Sequence, residues 1–391
     1  MNPQPSTAGS RPPLVILGAS CRFAAQSATR AGWAVHAADL FGDADLTAAA
    51  VASRRVDRYP DGLIDAAAAF PSAPWCYTGA VENHRHVIER VSAARPLAGN
   101  GVAEVGRVRE PAALAALVRH AGLRFPDTLD APRGLPTDGS FLRKPVAGAG
   151  GRGIAPWLGG GGPAVPGFVW QLHIAGEAVS AVLCLEDDGS RVLGMSHQLV
   201  GTAWCRAARF AYAGSVCMPR GAVATGIQSQ FASLATSLAG QAGLRGVVGV
   251  DAIVERDGRV AVLEVNPRPT ASAELVERTT GESILAMHLA AFGLASPVAP
   301  PAAHDAGIWS KAVLFAAEPV AIDDRMLSRL HALAGPWTAA DRLPALADIP
   351  GSGQVVRGGG PVLTVFARGD TGAASVAALR SRIEAVKTVT G

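Results

Sequence analysis

Residues 249–268 read GVDAIVERDGRVAVLEVNPR, two apolar runs separated by Asp257-Gly258. That dipeptide between apolar runs signals a hairpin, and a two-residue type I′ loop is its preferred form. With such a loop Arg256 faces Arg259, so Asp251 lies directly opposite Glu264. Side chains alternate along a strand with a period of two, which sends Asn266 to the same face as Glu264. Two carboxylates and an amide oxygen are therefore expected together on one side of a sheet. Like charges opposite each other destabilise a strand pair unless something neutralises them. A hard divalent cation taking oxygen ligands, partly hydrated and shared with phosphates, answers that demand. The plainer alternative is an exposed polar hairpin face.

Upstream, Arg143-Lys144-Pro145 ends a strand and AGAGGRG follows at 147–153. Gly148, Gly150, Gly151 and Gly153 free the backbone to fold N–H groups around anionic oxygens, with Lys144 as a point charge beside them. The lysine precedes the glycines, so this is not the G-x-x-x-x-G-K-[ST] loop. Only Lys144, Lys311 and Lys387 are lysine among 35 basic residues. A lysine that survives such a bias toward arginine suggests a need for a compact charge. Lys311 opens a late strand from which it could reach the same site.

The rest of the chain organises around these two segments. Residues 14–40 predict a βαβ opening, with Gly18 at the first strand end and Asp39 at the second. Ser20 and Phe23 stand where a dinucleotide fingerprint needs its second and third glycines, so NAD(P) binding is not expected. A helix is expected from Val81 to Leu97, and another after Glu110-Pro111, ending at Gly122. Residues 139–201 alternate short strand-like runs with glycine-rich loops and predict antiparallel sheet. Helices follow at 226–243 and about 283–292, a Pro/Ala-rich linker at 295–307, and an α+β cap after it. The expected units are a disordered tail at 1–12, a Rossmann-like domain at 13–103, a nucleotide and metal domain at 104–294, and the cap at 307–391.

Composition bounds the function. Lys+Arg of 35 against Asp+Glu of 32 supplies no basic field for nucleic acid. No apolar stretch reaches the ~18 residues needed to span a bilayer, and the N-terminus lacks a secretory pattern, so no membrane partner and a cytoplasmic location are expected. Five cysteines without CxxC spacing argue against a disulfide framework or a thiolate zinc site. His84 and His86, two apart on an expected helix, point away from each other and do not make a metal pair.

Taken in order, RKPVAGAGGRGI, QLHIAGEAVSA, GVDAIV and LEVNPRPTASAE make the chain, over roughly residues 1–370, resemble an ATP-grasp enzyme. The resemblance implies an α/β and α+β fold: a Rossmann-like preceding domain, then a two-subdomain ATP-grasp fold with a small C-terminal cap. It implies ATP and Mg2+, with Mn2+ as an alternative metal, held by Asp251, Glu264 and Asn266. Lys144 would contact the phosphates, and the flap of Gly148, Gly150, Gly151 and Gly153 would close over them. Arg268 would face the transferred phosphoryl group or the acceptor carboxylate, which with Lys144 makes the catalytic pair. Gln171 to Ile174 would take the adenine and Glu177 the ribose.

Two departures from the family pattern stand out. Leu172 occupies a place commonly held by glutamate, and no upstream phosphate lysine is present. Arg109 is either its substitute or a solvated charge at a helix start.

The implied reaction activates a carboxylate to an acyl phosphate, releases ADP, and lets an amine displace phosphate; a non-catalytic nucleotide-binding scaffold is the alternative. The Thr-Ala-Ser-x-Glu continuation resembles the branch that includes tyramine–glutamate ligase and relatives tied to methanofuran and tetrahydromethanopterin one-carbon metabolism. YTGAVENH at 77–84 and ADIPGSGQVVRGGGPVLTVFARG at 347–369 point the same way, and together they make Glu82, Asn83, Thr270, Ser272 and Glu274 the candidate substrate residues, with glutamate among the expected small-molecule partners. Helix capping is the alternative role of Glu82 and Asn83, and a polar helix start that of Ser272 and Glu274. A homodimer is the default oligomer.

Overall fold

The computed structural model describes residues 11–159, 166–187, 189–219, 221–296, 307–335 and 343–391. The N-terminal part is a parallel four-stranded sheet in the spatial order Ala52–Arg55, Ala34–Asp39, Pro13–Leu17, Trp75–Tyr77. Its first helix, Arg22–Arg30, follows the turn at Gly18. A Cβ on Gly18 would lie 1.8 Å from Thr78 Oγ1, so this glycine serves the close pass of two strand ends. The Asp39 carboxylate accepts from the backbone N–H of Cys21 (2.9 Å), Phe41 (3.1 Å) and Gly42 (2.8 Å). It thereby occupies the start of the helix where a dinucleotide phosphate would bind, in keeping with the incomplete fingerprint.

The expected helix from Val81 to Leu97 is split. A 3-10 turn at Val81–Asn83 is followed by a helix at Arg85–Ser92, with His84 in a non-helical conformation between them. A helix at Val102–Arg109, absent from the sequence reading, precedes the expected one at Pro111–His120.

The antiparallel region divides into two sheets. Phe141–Pro145 sits in a small sheet in the order Thr128–Leu129, Phe168–Leu172, Phe141–Pro145, Ala155–Pro156. The large sheet runs Val260–Asn266, Gly246–Val254, Glu177–Glu186, Gly189–Val200, Tyr212–Cys217, Ile308–Phe315, Pro361–Gly369, Leu346–Ala347. The strands assigned to the cap thus extend the same sheet that carries the acidic hairpin. Ser215 pairs with Lys311 across that junction.

Alternating side chains give the large sheet two buried faces. One, with Val179, Leu183 and Val250, packs on the helices Thr225–Gly240 and Pro111–His120. The other, with Val182, Cys184 and Val247, packs on Arg22–Arg30 and Ile284–Ala290, which docks the N-terminal domain. All five cysteines are free and buried. No helix among the described residues is long and apolar enough to cross a membrane. Most of the expected linker, 297–306, and of the tail, 1–10, lies outside the described residues.

His288 sits at this docking surface, 1% exposed. Its Nδ1 accepts from Val247 N (3.1 Å), which leaves the proton on Nε2 to be donated to Ala98 O (3.1 Å). Burial lowers the imidazole to about 4. Between pH 6.5 and 4 the unfolded chain takes up a proton that the folded one refuses, so stability present at neutral pH is lost as pH falls through this window. The loss is of the order of 3 kcal/mol. His288→Gln should therefore lose less stability than wild type between pH 7.5 and 4.5, read as the difference of their melting temperatures. An identical decline in both would remove His288 from the account.

Candidate nucleotide and cation site

The hairpin turn is not the two-residue form. Glu255 N donates to Arg259 O (2.9 Å), Gly258 N donates to Glu255 O (2.9 Å), and Gly258 has φ +82°. This is a three-residue loop with glycine in the left-handed position, which shifts the register by one. A second irregularity between Asp251 and Ala252, with Leu263 as the extra residue, shifts it back. The two cancel, and Asp251 does face Glu264. The bulge also turns the Leu263 carbonyl to Lys144 Nζ, which donates to it at 3.4 Å.

Around this pair the chain gathers its charges. Glu264 Oε2 lies 3.8 Å from Lys144 Nζ and 3.9 Å from Arg109 Nη1. Asn266 Nδ2 donates to Asp251 Oδ2 (3.2 Å) and Glu264 Oε1 (3.3 Å). Gln198 Nε2 donates to Asp251 Oδ1 at 2.7 Å. The two carboxylates titrate apart. Burial and the facing Glu264 push Asp251 up; burial also pushes Glu264 up, but Lys144 and Arg109 outweigh it and hold Glu264 down. Such a set fits a hard divalent cation. Two opposed carboxylates are held by groups that a cation can replace, and the Asn266 amide presents an oxygen after a half-turn. Mg2+ there would be held by Asp251, Glu264 and Asn266.

Arg109 ends the helix Val102–Arg109 and is inside the site, not a solvated charge. It donates to Asn83 Oδ1 (2.6 Å) and Val146 O (3.2 Å). Asn83 in turn donates to Gly148 O (3.3 Å), tying the N-terminal domain to the flap. Gly150, Gly151 and Gly153 have φ of +60°, +75° and +78°, while Gly148 turns tightly over Pro145. A Cβ on Gly151 would lie 1.9 Å from Phe210 O.

Glu82 is 2% exposed and holds Arg268 through two contacts, Nε at 2.9 Å and Nη2 at 2.6 Å. Its role is an ion pair and not a helix cap. Arg268 Nη2 also donates to Asn266 Oδ1 (3.3 Å), so the guanidinium is locked beside the cation ligands.

Other expected contacts fall elsewhere. Thr270 and Ser272 are 3.0 Å apart by their hydroxyls, and Ser272 reaches Ser180 at 2.9 Å. They form a chain behind Asp251, and Gly249 makes room for Thr270, since a Cβ there would lie 2.2 Å from its methyl. Glu274 is 3% exposed and taken up by Arg22, Lys311 and Arg278. It is not open to a substrate, and Lys311 is consumed with it. Glu177 is exposed and pairs with His197 (3.7 Å), on the sheet face opposite Ser180 and Asp251. Gln171 is buried and donates to Thr128 Oγ1 (3.2 Å), and Ile174 is buried near it. Gln198 was missed by the sequence reading; the signal available was a second polar residue, after Ser196, on one face of a central strand.

A cleft of about 50 Å3 runs between Arg109, Lys144, Gln171, Leu263 and Glu264. Ligand pockets are typically ~300–1,000 Å3, larger than this cleft. An opening of about 280 Å3 adjoins it at Glu110, Asp130 and Phe168. Its charged lining is acidic, which suits no phosphate.

Residues 112–272 match the family model of the ATP-grasp domain. No curated protein matches the chain. Among solved structures, N5-carboxyaminoimidazole synthetase from Staphylococcus aureus, complexed with ADP, superposes with a TM-score of 0.68 at 12% identity, covering 95% of this chain and 97% of that one. L-amino acid ligase from Bacillus licheniformis gives 0.66 at 12% identity over 96% and 98%. The biotin carboxylase domain of Hydrogenobacter thermophilus 2-oxoglutarate carboxylase, in complex with MgADP and bicarbonate, gives 0.64 at 13% over 95% and 89%. Residues 112–272 thus resemble an ATP-grasp domain, and the chain as a whole has the ATP-grasp fold.

Proposed function

We propose that the protein is an ATP- and Mg2+-dependent ligase that joins a carboxylate to an amine. The observation that carries this reading is the cluster of Asp251, Glu264 and Asn266 facing Lys144 and Arg109 beneath a glycine flap. ATP supplies the phosphoryl group and the divalent cation neutralises its oxygens. A carboxylate oxygen attacks the γ-phosphorus and ADP leaves; the amine then attacks the acyl carbon, phosphate departs, and the amine loses a proton. Such chemistry needs positioning and charge, and no covalent nucleophile from the protein. Lys144 and Arg109 bring positive charge to the phosphates. Arg268, its own charge matched by Glu82, orients the acyl group through a fixed guanidinium plane.

Substrate identity rests on less. Placement in methanofuran- or tetrahydromethanopterin-type cofactor biosynthesis is carried by the Thr270–Glu274 stretch, with YTGAVENH at 77–84 and the cap sequence at 347–369 beside it. Ser272 and Glu274 make internal bonds, so that stretch supports a shared scaffold and no direct substrate contact. Glutamate, tyramine and bicarbonate are the compounds to screen first. Incubation with ATP, Mg2+ and these compounds should release ADP and phosphate only when the right pair is present. AMP and pyrophosphate as products would contradict the reading.

A further inference from the structure

We propose that Gln198 is a positioning residue of the cation site, an inference that rests on the ligase reading above. Gln198 lies on Gly189–Val200, two strands away from Asp251 on Gly246–Val254. Strands are ~4.8 Å apart, so the two backbones are separated by ~10 Å. The side chain crosses that gap because the strand between them presents only small residues beside it on this face: Ser180 lies opposite Ser196, and Ala178, one step past the Val179–His197 pair, lies opposite Gln198. Its amide then meets Asp251 Oδ1 at 2.7 Å, the shortest of the contacts to either carboxylate. Asn266 Nδ2 donates to the other oxygen, Oδ2, at 3.2 Å. Asp251 is thus aimed by donors from two strands, whereas Glu264 accepts from Asn266 at 3.3 Å and faces Lys144 and Arg109 at 3.8 and 3.9 Å.

The strand beside Gln198 reaches the flap. Gln198 pairs across the sheet with Ser215, whose Oγ is 2.9 Å from Tyr212 Oη. Tyr212 N donates to Gly150 O at 3.1 Å, and the neighbouring Phe210 carbonyl seats Gly151. One strand, Tyr212–Cys217, therefore carries both the pin that holds the glycine flap and the neighbour of the residue that aims Asp251. Partners that orient a metal ligand through its free oxygen typically set metal affinity by ~10–100-fold.

The test measures Mn2+ binding by electron paramagnetic resonance on the full chain with ADP, for wild type, Gln198→Met and Gln198→Leu. Both variants keep much of the side-chain bulk and remove the donor. Expected are ~10-fold weaker Mn2+ binding in both variants, melting temperatures close to wild type, and unchanged ADP affinity in EDTA. Wild-type Mn2+ affinity in both variants would overturn the assignment of Gln198 while leaving the ligase reading standing. Equal loss of ADP binding in EDTA would also overturn it, by showing a general effect on the domain. Failure of wild type itself to bind Mn2+ with ADP would overturn the ligase reading and this inference together.

Discussion

Arg22→Met should cost about 3–5 kcal/mol of stability, the range expected when one partner is removed from a buried ion pair. Arg22 is 2% exposed and stands at the meeting point of three parts of the chain. It contacts Glu274 through both terminal nitrogens, Asp348 through Nε (2.9 Å) and Nη2 (3.2 Å), and Asp45 at 3.7 Å. Glu274 keeps Lys311 (3.3 Å) and Arg278 (3.6 Å) after the substitution. The aspartates do not have that reserve. Burial already raises Asp43 to about 9 and Asp45 to about 6, with Asp348 adding to both and Arg22 opposing. Removing the guanidinium leaves three neighbouring carboxyl groups without their main cation. Paired urea unfolding of wild type and variant measures the loss, and a change below about 1 kcal/mol would show that the network is not what joins the N-terminal domain to the sheet.

Glu264→Gln acts on a different quantity. The change is isosteric and removes one of two opposed charges, so folding stability should move by no more than about 1 kcal/mol. Turnover should fall by about 10²–10³-fold or more, because a charge aimed at the reacting phosphates through the cation is lost. Phosphate release under saturating ATP is the measurement. Near-normal turnover would remove Glu264 from the cation site, and with it the reason for the facing Lys144 and Arg109.

The parts of this account that were legible in the sequence are those set by local rules. Period-two alternation put Asp251, Glu264 and Asn266 on one face, and the prediction survived a wrong turn type because the extra loop residue and the Leu263 bulge offset each other. Nothing in the strand sequence announces that bulge. The parallel opening, the glycine flap and the helix begun by Pro111 were readable for the same local reason. What failed was long-range. Glu274 looks like a free acid at a helix start until Arg22, 252 residues away, is brought against it. Ile308–Phe315 looks like the start of a separate cap because the choice of antiparallel partner, here Tyr212–Cys217, is made across a long gap in the chain. Gln198 reaches its carboxylate over an intervening strand, a geometry no spacing rule encodes.

The central claim is that Asp251, Glu264 and Asn266 hold a cation that binds with the nucleotide. A thermal-shift titration with ATP, with and without Mg2+, on wild type and Glu264→Gln tests it without knowledge of the substrate. A ligand at 100 times its Kd stabilises the native state by about 2.7 kcal/mol. The account predicts a Mg2+-dependent rise in the wild-type melting temperature that Glu264→Gln loses. An unchanged melting temperature in wild type, or an equal rise in both proteins, would contradict it.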